Sequence, residues 1–201
     1  MYPLTKLYPV NEIFDSIQGE GFWTGIPATF IRFHGCNLRC LWCDTKETWS
    51  GRAEHLTTAQ ILAMVHFEHV VITGGEPLLY DLTGLLNQLH QSGNKIHIET
   101  NGTQPWSHQY PADIWLTVSP KMSSGYMVAP SLHERVNEYK FVVDEDFDPG
   151  IMLAHPFAGS GLIFLSPENV RPEMVKKALL IVYEYPFSRL MVQIHKLIGI
   201  K

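Results

Sequence analysis

The chain has 201 residues, 45% hydrophobic and 17% charged, the balance of one soluble globular domain spanning 1–201 with a sizeable core. Its formal charge of −5, from 15 basic against 20 acidic side chains, argues against a surface built to grip nucleic-acid backbone. All three cysteines fall between positions 36 and 43; a secreted disulfide scaffold would carry more, even in number and dispersed, so a metal site in a reducing compartment is expected.

At the start, MYPLTKLYPVNEIFDS lacks the apolar run and basic flank of a signal peptide. No stretch reaches the ~18 uninterrupted apolar residues of a membrane span. A cytoplasmic protein is expected, with neither a membrane nor a nucleic acid as direct partner. ATFIRF (28–33) predicts a strand leading into the cysteines. A helix starts near Thr57, a candidate cap, and carries Ile61, Leu62 and Val65 on one side. HVVIT (69–73) predicts a buried strand ending at GGEP. Leu82, Leu85, Leu86 and Leu89 give 81–91 the spacing of an amphipathic helix that stops at Ser92-Gly93. KIHIE (95–99), DIWLTVS (113–119), EYKFVV (138–143) and LIFL (162–165) predict further strands. A helix follows Pro172 through Met174, Val175, Ala178 and Leu179, and RLMVQIH (189–195) predicts the last strand. Residues 122–137 and 144–160 give no clear pattern.

Strands alternating with helices predict parallel β/α units. A complete eight-fold barrel usually takes ~250 residues. This chain is shorter and two crossovers look too brief for full helices, so the expected fold is α/β, a partial, incomplete β/α barrel. In such folds chemistry sits at the C-terminal strand ends. The cysteines, GGEP, ETNG, SPK and LSPEN all follow predicted strands and should gather on one rim.

Cys36, Cys40 and Cys43 form a CxxxCxxC loop. A cubane iron–sulfur cluster usually takes four cysteines, so three would leave one iron open for a ligand. Zinc is the alternative, with His34 or His55 as fourth ligand; that would make the chain a zinc-binding interaction module. The glycines of Gly74-Gly75-Glu76-Pro77 permit close backbone approach to a ligand, although a strand-ending turn alone would read the same way. Arg32 is a fork suited to a carboxylate, or a solvated strand-end arginine. Asp44-Thr45 alone reads as a turn or cap, and His195 as a structural histidine. The ten histidines are scattered and suggest no second metal centre.

CxxxCxxC with Trp42 before the last cysteine, followed by GGEP, resembles the radical S-adenosylmethionine superfamily. In order, NEIFDSIQGEG, ATFIRFHGCNLRC, WCDT, TGGEP, IETNGT, VSPK, EYKFVV and QIHKLIGIK resemble the 7-carboxy-7-deazaguanine synthase family, from about residue 11 to the end. The resemblance implies a 4Fe–4S cluster on Cys36, Cys40 and Cys43 whose open iron is chelated by S-adenosylmethionine. It implies that one-electron cleavage of that cofactor gives a deoxyadenosyl radical, which takes a hydrogen atom from C6 of a carboxylated pterin and later recovers it. It implies cofactor contacts from Trp42, Asp44, Gly75, Glu76, Ser119, Pro120, Lys121, Ser166 and Asn169. Thr45, two residues past Cys43, would hold Mg²⁺ through its hydroxyl, the hard oxygen donor that this ion requires. Ile17, Gln18, Gly19, Arg32, Thr73, Glu99, His195 and the terminal Lys201 would bind substrate, with Glu20 or Glu99 facing its guanidine-like edge. A homodimer and a flavodoxin or ferredoxin reductant are further implications. A glycyl-radical activating enzyme is the alternative within the superfamily, distinguished by lacking a small carboxylated substrate.

Overall fold

Strand residues that alternate in polarity must choose faces, and here the choice builds the site. The computed structural model describes residues 4–154 and 161–201. Its elements are β1 Leu7–Ile17, β2 Pro27–Phe33, α1 Glu47–Ser50, β3 Glu54–Thr57, α2 Thr58–Ala63, β4 His69–Gly74, α3 Thr83–Gln91, β5 Lys95–Thr100, β6 Trp115–Val118, β7 Glu138–Val143, α4 Gly150–Ala154, β8 Leu162–Pro167, α5 Pro172–Glu184, β9 Ser188–Leu190 and α6 Ile194–Ile198. The sheet runs β3-β1-β2-β4-β5-β6-β7-β8-β9. Strands β2 and β4 to β9 pair in parallel, and β1 is antiparallel to both β2 and β3. The sheet does not close, as expected of a partial barrel.

One strand face carries Ile31, Ile72, Ile98, Leu116, Phe141 and Leu165, which pack with helix residues Ile61, Leu85, Leu89 and Ile181 into one core. Leu82, Leu85, Leu86 and Leu89 are fully buried, each contributing roughly 1.5–3 kcal/mol relative to exposure. The cap of α2 is as expected: Thr57 Oγ1 accepts from Gln60 N (3.2 Å) while Gln60 Oε1 accepts from Thr57 N (2.9 Å), a reciprocal box worth about 1 kcal/mol. The opposite strand face encloses the concave interior. There Ala28, Phe30 and Val71 form a small separate cluster with Phe14, and Thr73, Glu99, Thr117, Glu138, Lys140 and Ser166 make most of the remaining inward positions polar, with Trp115, Val142 and Phe164 as apolar exceptions.

The loop from Gln18 to Ile26 closes one end of this interior. Phe22 stacks on Trp115 (5.0 Å between centroids), and Trp23 lies 5.2 Å from the His69 ring and 5.4 Å from His97. His69, Trp115 and Glu138 begin β4, β6 and β7, so this aromatic floor caps the N-terminal strand ends. The C-terminal ends face the cysteine loop.

Two departures from expectation stand out. The long β1 and the short β3 were not evident in the sequence: the polar residues of VNEIFDS and the brevity of EHLT weaken the strand signal, and antiparallel pairing supplies the difference. RLMVQIH is not one strand. Only Ser188–Leu190 pairs, along one side of β8; the chain then turns because Ile194 N donates to Gly19 O (3.1 Å) instead of to the sheet, and His195 falls in the first turn of α6. The brief crossovers are as expected: no helix lies between β5 and β6, and single helical turns at Met122–Ser124 and Pro130–Leu132 lie between β6 and β7. Part of the unpatterned 144–160 forms α4; positions 155–160 lie outside the described residues.

Candidate active site

The polar inward residues and the rim loops enclose a cavity of about 220 Å³. The cysteine loop supplies Cys40, Trp42, Cys43, Asp44 and Thr45; β4 and its turn supply Thr73, Gly74 and Gly75. Glu99, Ser119, Lys121 and Lys140 come from β5 to β7 and their ends, Arg32 from β2. Ile17, Gln18, Gly19 and Glu20 form the floor, with His195 and Lys201 at the side. Ser166 and Asn169 line an adjoining space of about 100 Å³ that shares Trp42, Asp44 and Lys121 with the main cavity. Most of the expected site residues thus meet in one place. Cys36, Glu76 and Pro120 are not part of the cavity wall.

Glu76 sits behind the cavity wall. It is fully buried and accepts from Leu78 N (2.9 Å), Thr100 Oγ1 (2.7 Å) and Asn101 N (2.7 Å). Burial pushes its pKa up despite these donors. Its carboxylate ties the end of β4 to that of β5, and Thr73 to Gly75 are the part of this run that reaches the cavity. Gly75 must be glycine, since a Cβ there would sit 2.0 Å from Gly35 O and 2.9 Å from Cys36 Cβ.

The three thiols are free and half-buried. Burial raises the Cys36 thiol, and Leu38 N donates to its sulfur at 3.4 Å. Ser123 Oγ lies 3.4 Å from Cys40 Sγ. Soft thiol donors with polar hydrogens directed at sulfur fit a thiolate-ligated cluster. His34 is engaged by Asn11 Oδ1 (3.2 Å), and His55 sits on β3 opposite Pro9. Among the described residues, no three His, Cys, Asp or Glu side chains are arranged to hold a metal ion. Thr45 Oγ1 lies 3.7 Å from Cys43 Sγ on the cavity wall.

Around this loop, Trp42 donates to Asp144 Oδ2 (3.0 Å), and the Lys121 ammonium lies 5.2 Å from the Trp42 ring centre. Burial lowers the Lys121 pKa to about 8. Asp44 pairs with Lys196 (2.9 Å), which outweighs burial and holds the carboxylate below its usual range.

On the floor, Gln18 Nε2 donates to Glu99 Oε1 (3.0 Å), and Gln18 Oε1 accepts from Glu20 N (3.1 Å). Thr73 Oγ1 donates to Glu99 Oε2 (3.4 Å). Arg32 pairs through Nε with Glu12 (2.9 Å) and lies over Phe14. The Lys201 ammonium also reaches Glu12, while its carbonyl accepts from Ser16 Oγ. A Cβ on Gly19 would fall 2.0 Å from His195 Nδ1, so glycine lets the tail seat against the floor. Sequence reasoning missed Lys140 and Glu12. The alternation in EYKFVV, a lysine between buried Tyr139 and Phe141, was the available signal for the first.

Residues 30–113 match the model of the radical SAM superfamily. The 7-carboxy-7-deazaguanine synthase of Aquifex aeolicus is 38% identical, with 97% of this chain and 95% of that protein covered. The protein of that name from Bacteroides thetaiotaomicron is 40% identical over 96% of this chain and 98% of its own length. The crystal structure of QueE from Escherichia coli superposes with a TM-score of 0.79 at 32% identity, covering 93% of this chain and 94% of that one. With a cysteine loop above a polar barrel interior and relatives matched along nearly their full length, the chain belongs to the 7-carboxy-7-deazaguanine synthase family of the radical SAM superfamily.

Proposed function

We propose that this chain, as a single domain over 1–201, converts 6-carboxy-5,6,7,8-tetrahydropterin to 7-carboxy-7-deazaguanine and ammonia, a step toward 7-deazapurines such as queuosine. The conversion loses only ammonia and is redox-neutral overall. The observation that carries this reading is the polar inward face of the parallel sheet directly beneath the cysteine loop.

Cys36, Cys40 and Cys43 would hold the 4Fe–4S cluster, which supplies the electron that cleaves S-adenosylmethionine. Trp42, Asp44, Gly75, Glu76, Ser119, Pro120, Lys121, Ser166 and Asn169 would seat that cofactor, Glu76 and Pro120 from behind the cavity wall. Thr45 would offer Mg²⁺ one hydroxyl, leaving its other positions to water and the substrate carboxylate. Arg32 would orient the same carboxylate. Gln18 and Glu99, with the backbone of Ile17 and Gly19, would take the donor–acceptor edge of the pterin, and Thr73, His195 and Lys201 would enclose its other side. The aromatic floor around Trp23 would limit the entry of water from below. A homodimer reduced by a flavodoxin or ferredoxin in the cytoplasm completes the proposal. Among the described residues no helix is long and apolar enough to cross a membrane.

The test is anaerobic incubation of the cluster-reconstituted protein with that pterin, S-adenosylmethionine, Mg²⁺ and reductant. The proposal expects the mass of 7-carboxy-7-deazaguanine and an equal amount of ammonia. An intact cluster that cleaves S-adenosylmethionine yet yields no deazaguanine would refute it.

A further inference from the structure

Lys140 stands on the inward face of β7, between Tyr139 and Phe141 of the outer core. Its ammonium pairs with Glu20 of the floor loop and lies 3.8 Å from Glu99 Oε2 of β5. The Lys140 and Glu20 side chains are only 14% and 12% exposed. Each carboxylate is held on its other oxygen by an amide, Glu20 by Gln193 and Glu99 by Gln18.

Two carboxylates in one small cavity resist joint ionisation, because burial and mutual repulsion both favour a proton. Here burial alone would neutralise Lys140, but Glu20 and Glu99 outweigh it and hold the ammonium charged. Burial would likewise protonate Glu20, and Lys140 outweighs that effect. Lys140 is therefore a fixed charge rather than a base. The other charged groups facing it are Asp44, Lys121 and Glu138. Each has its own partner: Lys196 for Asp44, Ser119 for Lys121, and Phe22 N with Thr117 for Glu138.

We propose that Lys140 is a positioning residue whose ammonium, paired with Glu20 and within reach of Glu99, aligns the two carboxylates as paired acceptors for the N–H donors of a substrate's amidine or guanidine edge. This deepens the function proposed above and rests on it.

The experiment compares wild type, Lys140→Met, Lys140→Arg and the double variant Lys140→Met/Glu20→Gln, each reconstituted with cluster. KM and kcat for the carboxylated pterin are measured from pH 5.5 to 8.5, with equilibrium binding of the pterin alongside. Lys140→Met should raise KM and Kd at least tenfold at neutral pH with a smaller change in kcat. It should also gain a loss of binding toward low pH, as the orphaned Glu20 takes up a proton. Lys140→Arg should stay within about threefold of wild type. In the double variant the new pH dependence should vanish, because the titrating carboxylate is gone. If Lys140→Met fails to fold, the double variant decides: a pH-independent Kd is expected, and a Kd that weakens toward low pH overturns the proposal. Unchanged KM and pH profile in Lys140→Met also overturn it. Failure of the underlying function would look different, since wild type itself would then neither bind nor convert the pterin.

Discussion

Replacing Glu76 separates two roles for the GGEP run. If the carboxylate braces strand ends, Glu76→Ala leaves Leu78 N and Asn101 N without acceptors inside the protein, since both bonds are buried; the Thr100 hydroxyl can rotate. Each orphaned donor costs about 1–3 kcal/mol, so the gross loss is about 2–6 kcal/mol. Removing a carboxylate whose burial raises its pKa offsets part of this, leaving about 2–4 kcal/mol. For a chain of this length each kcal/mol is about 2–4 °C, so the melting temperature should fall by about 4–16 °C. Glu76→Gln keeps one acceptor oxygen and should lose about half as much. The assay is thermal unfolding of cluster-loaded protein without S-adenosylmethionine, followed by far-ultraviolet circular dichroism. A Glu76→Ala melting point within 1 °C of wild type, with loss confined to S-adenosylmethionine affinity, would refute the brace.

Gly19→Ala should drive the His195 ring away from the floor, because the new methyl overlaps Nδ1 at 2.0 Å; overpacking of this kind costs about 1–3 kcal/mol, and pterin affinity should fall at least tenfold by calorimetric titration. Thr45→Ala should raise the Mg²⁺ concentration for half-maximal turnover at least tenfold, with Thr45→Ser near wild type and neither melting point moved by more than 1 °C. His97 gives a pH effect. Burial, with His69 and Lys95 adding to it, lowers its pKa to about 4 from 6.5, so the unfolded chain binds a proton that the native state refuses. This costs stability as pH falls from about 6.5 toward 4, with a ceiling of roughly 3 kcal/mol. His97→Gln should flatten that part of the curve of melting temperature against pH; an unchanged slope between pH 7 and 5 would contradict the assignment.

The parallel strands were legible because alternate residues enter the core, as Ile96 and Ile98 or Tyr139, Phe141 and Val143 do, giving the period of a strand with one packed face. VVIT, KIHIE and EYKFVV therefore announced themselves. β1 did not, because Glu12 and Asp15 break its pattern while serving Arg32 and Thr29 across the sheet. The tail misled because Leu190, Met191 and Ile194 carry strand-like residues, yet the turn into α6 depends on the distant Gly19 carbonyl. The cysteine loop, TGGEP and SPK were readable as motifs, but what Glu76 does was not: its three donors come from two separate segments. Lys140 was hidden for a related reason. A lone strand lysine gains its meaning only from Glu20 and Glu99, which lie 120 and 41 positions earlier in the sequence and meet it across the barrel interior.

The central claim is that the inward polar face of the sheet is the pterin site. Anaerobic calorimetric titration of 6-carboxy-5,6,7,8-tetrahydropterin into cluster-loaded protein with S-adenosylmethionine and Mg²⁺ tests it most directly. Wild type should bind one equivalent per chain, and Arg32→Gln and Glu99→Gln should each weaken binding at least tenfold, about 1.4 kcal/mol or more. Saturable binding that neither substitution weakens would place the substrate elsewhere and contradict the account.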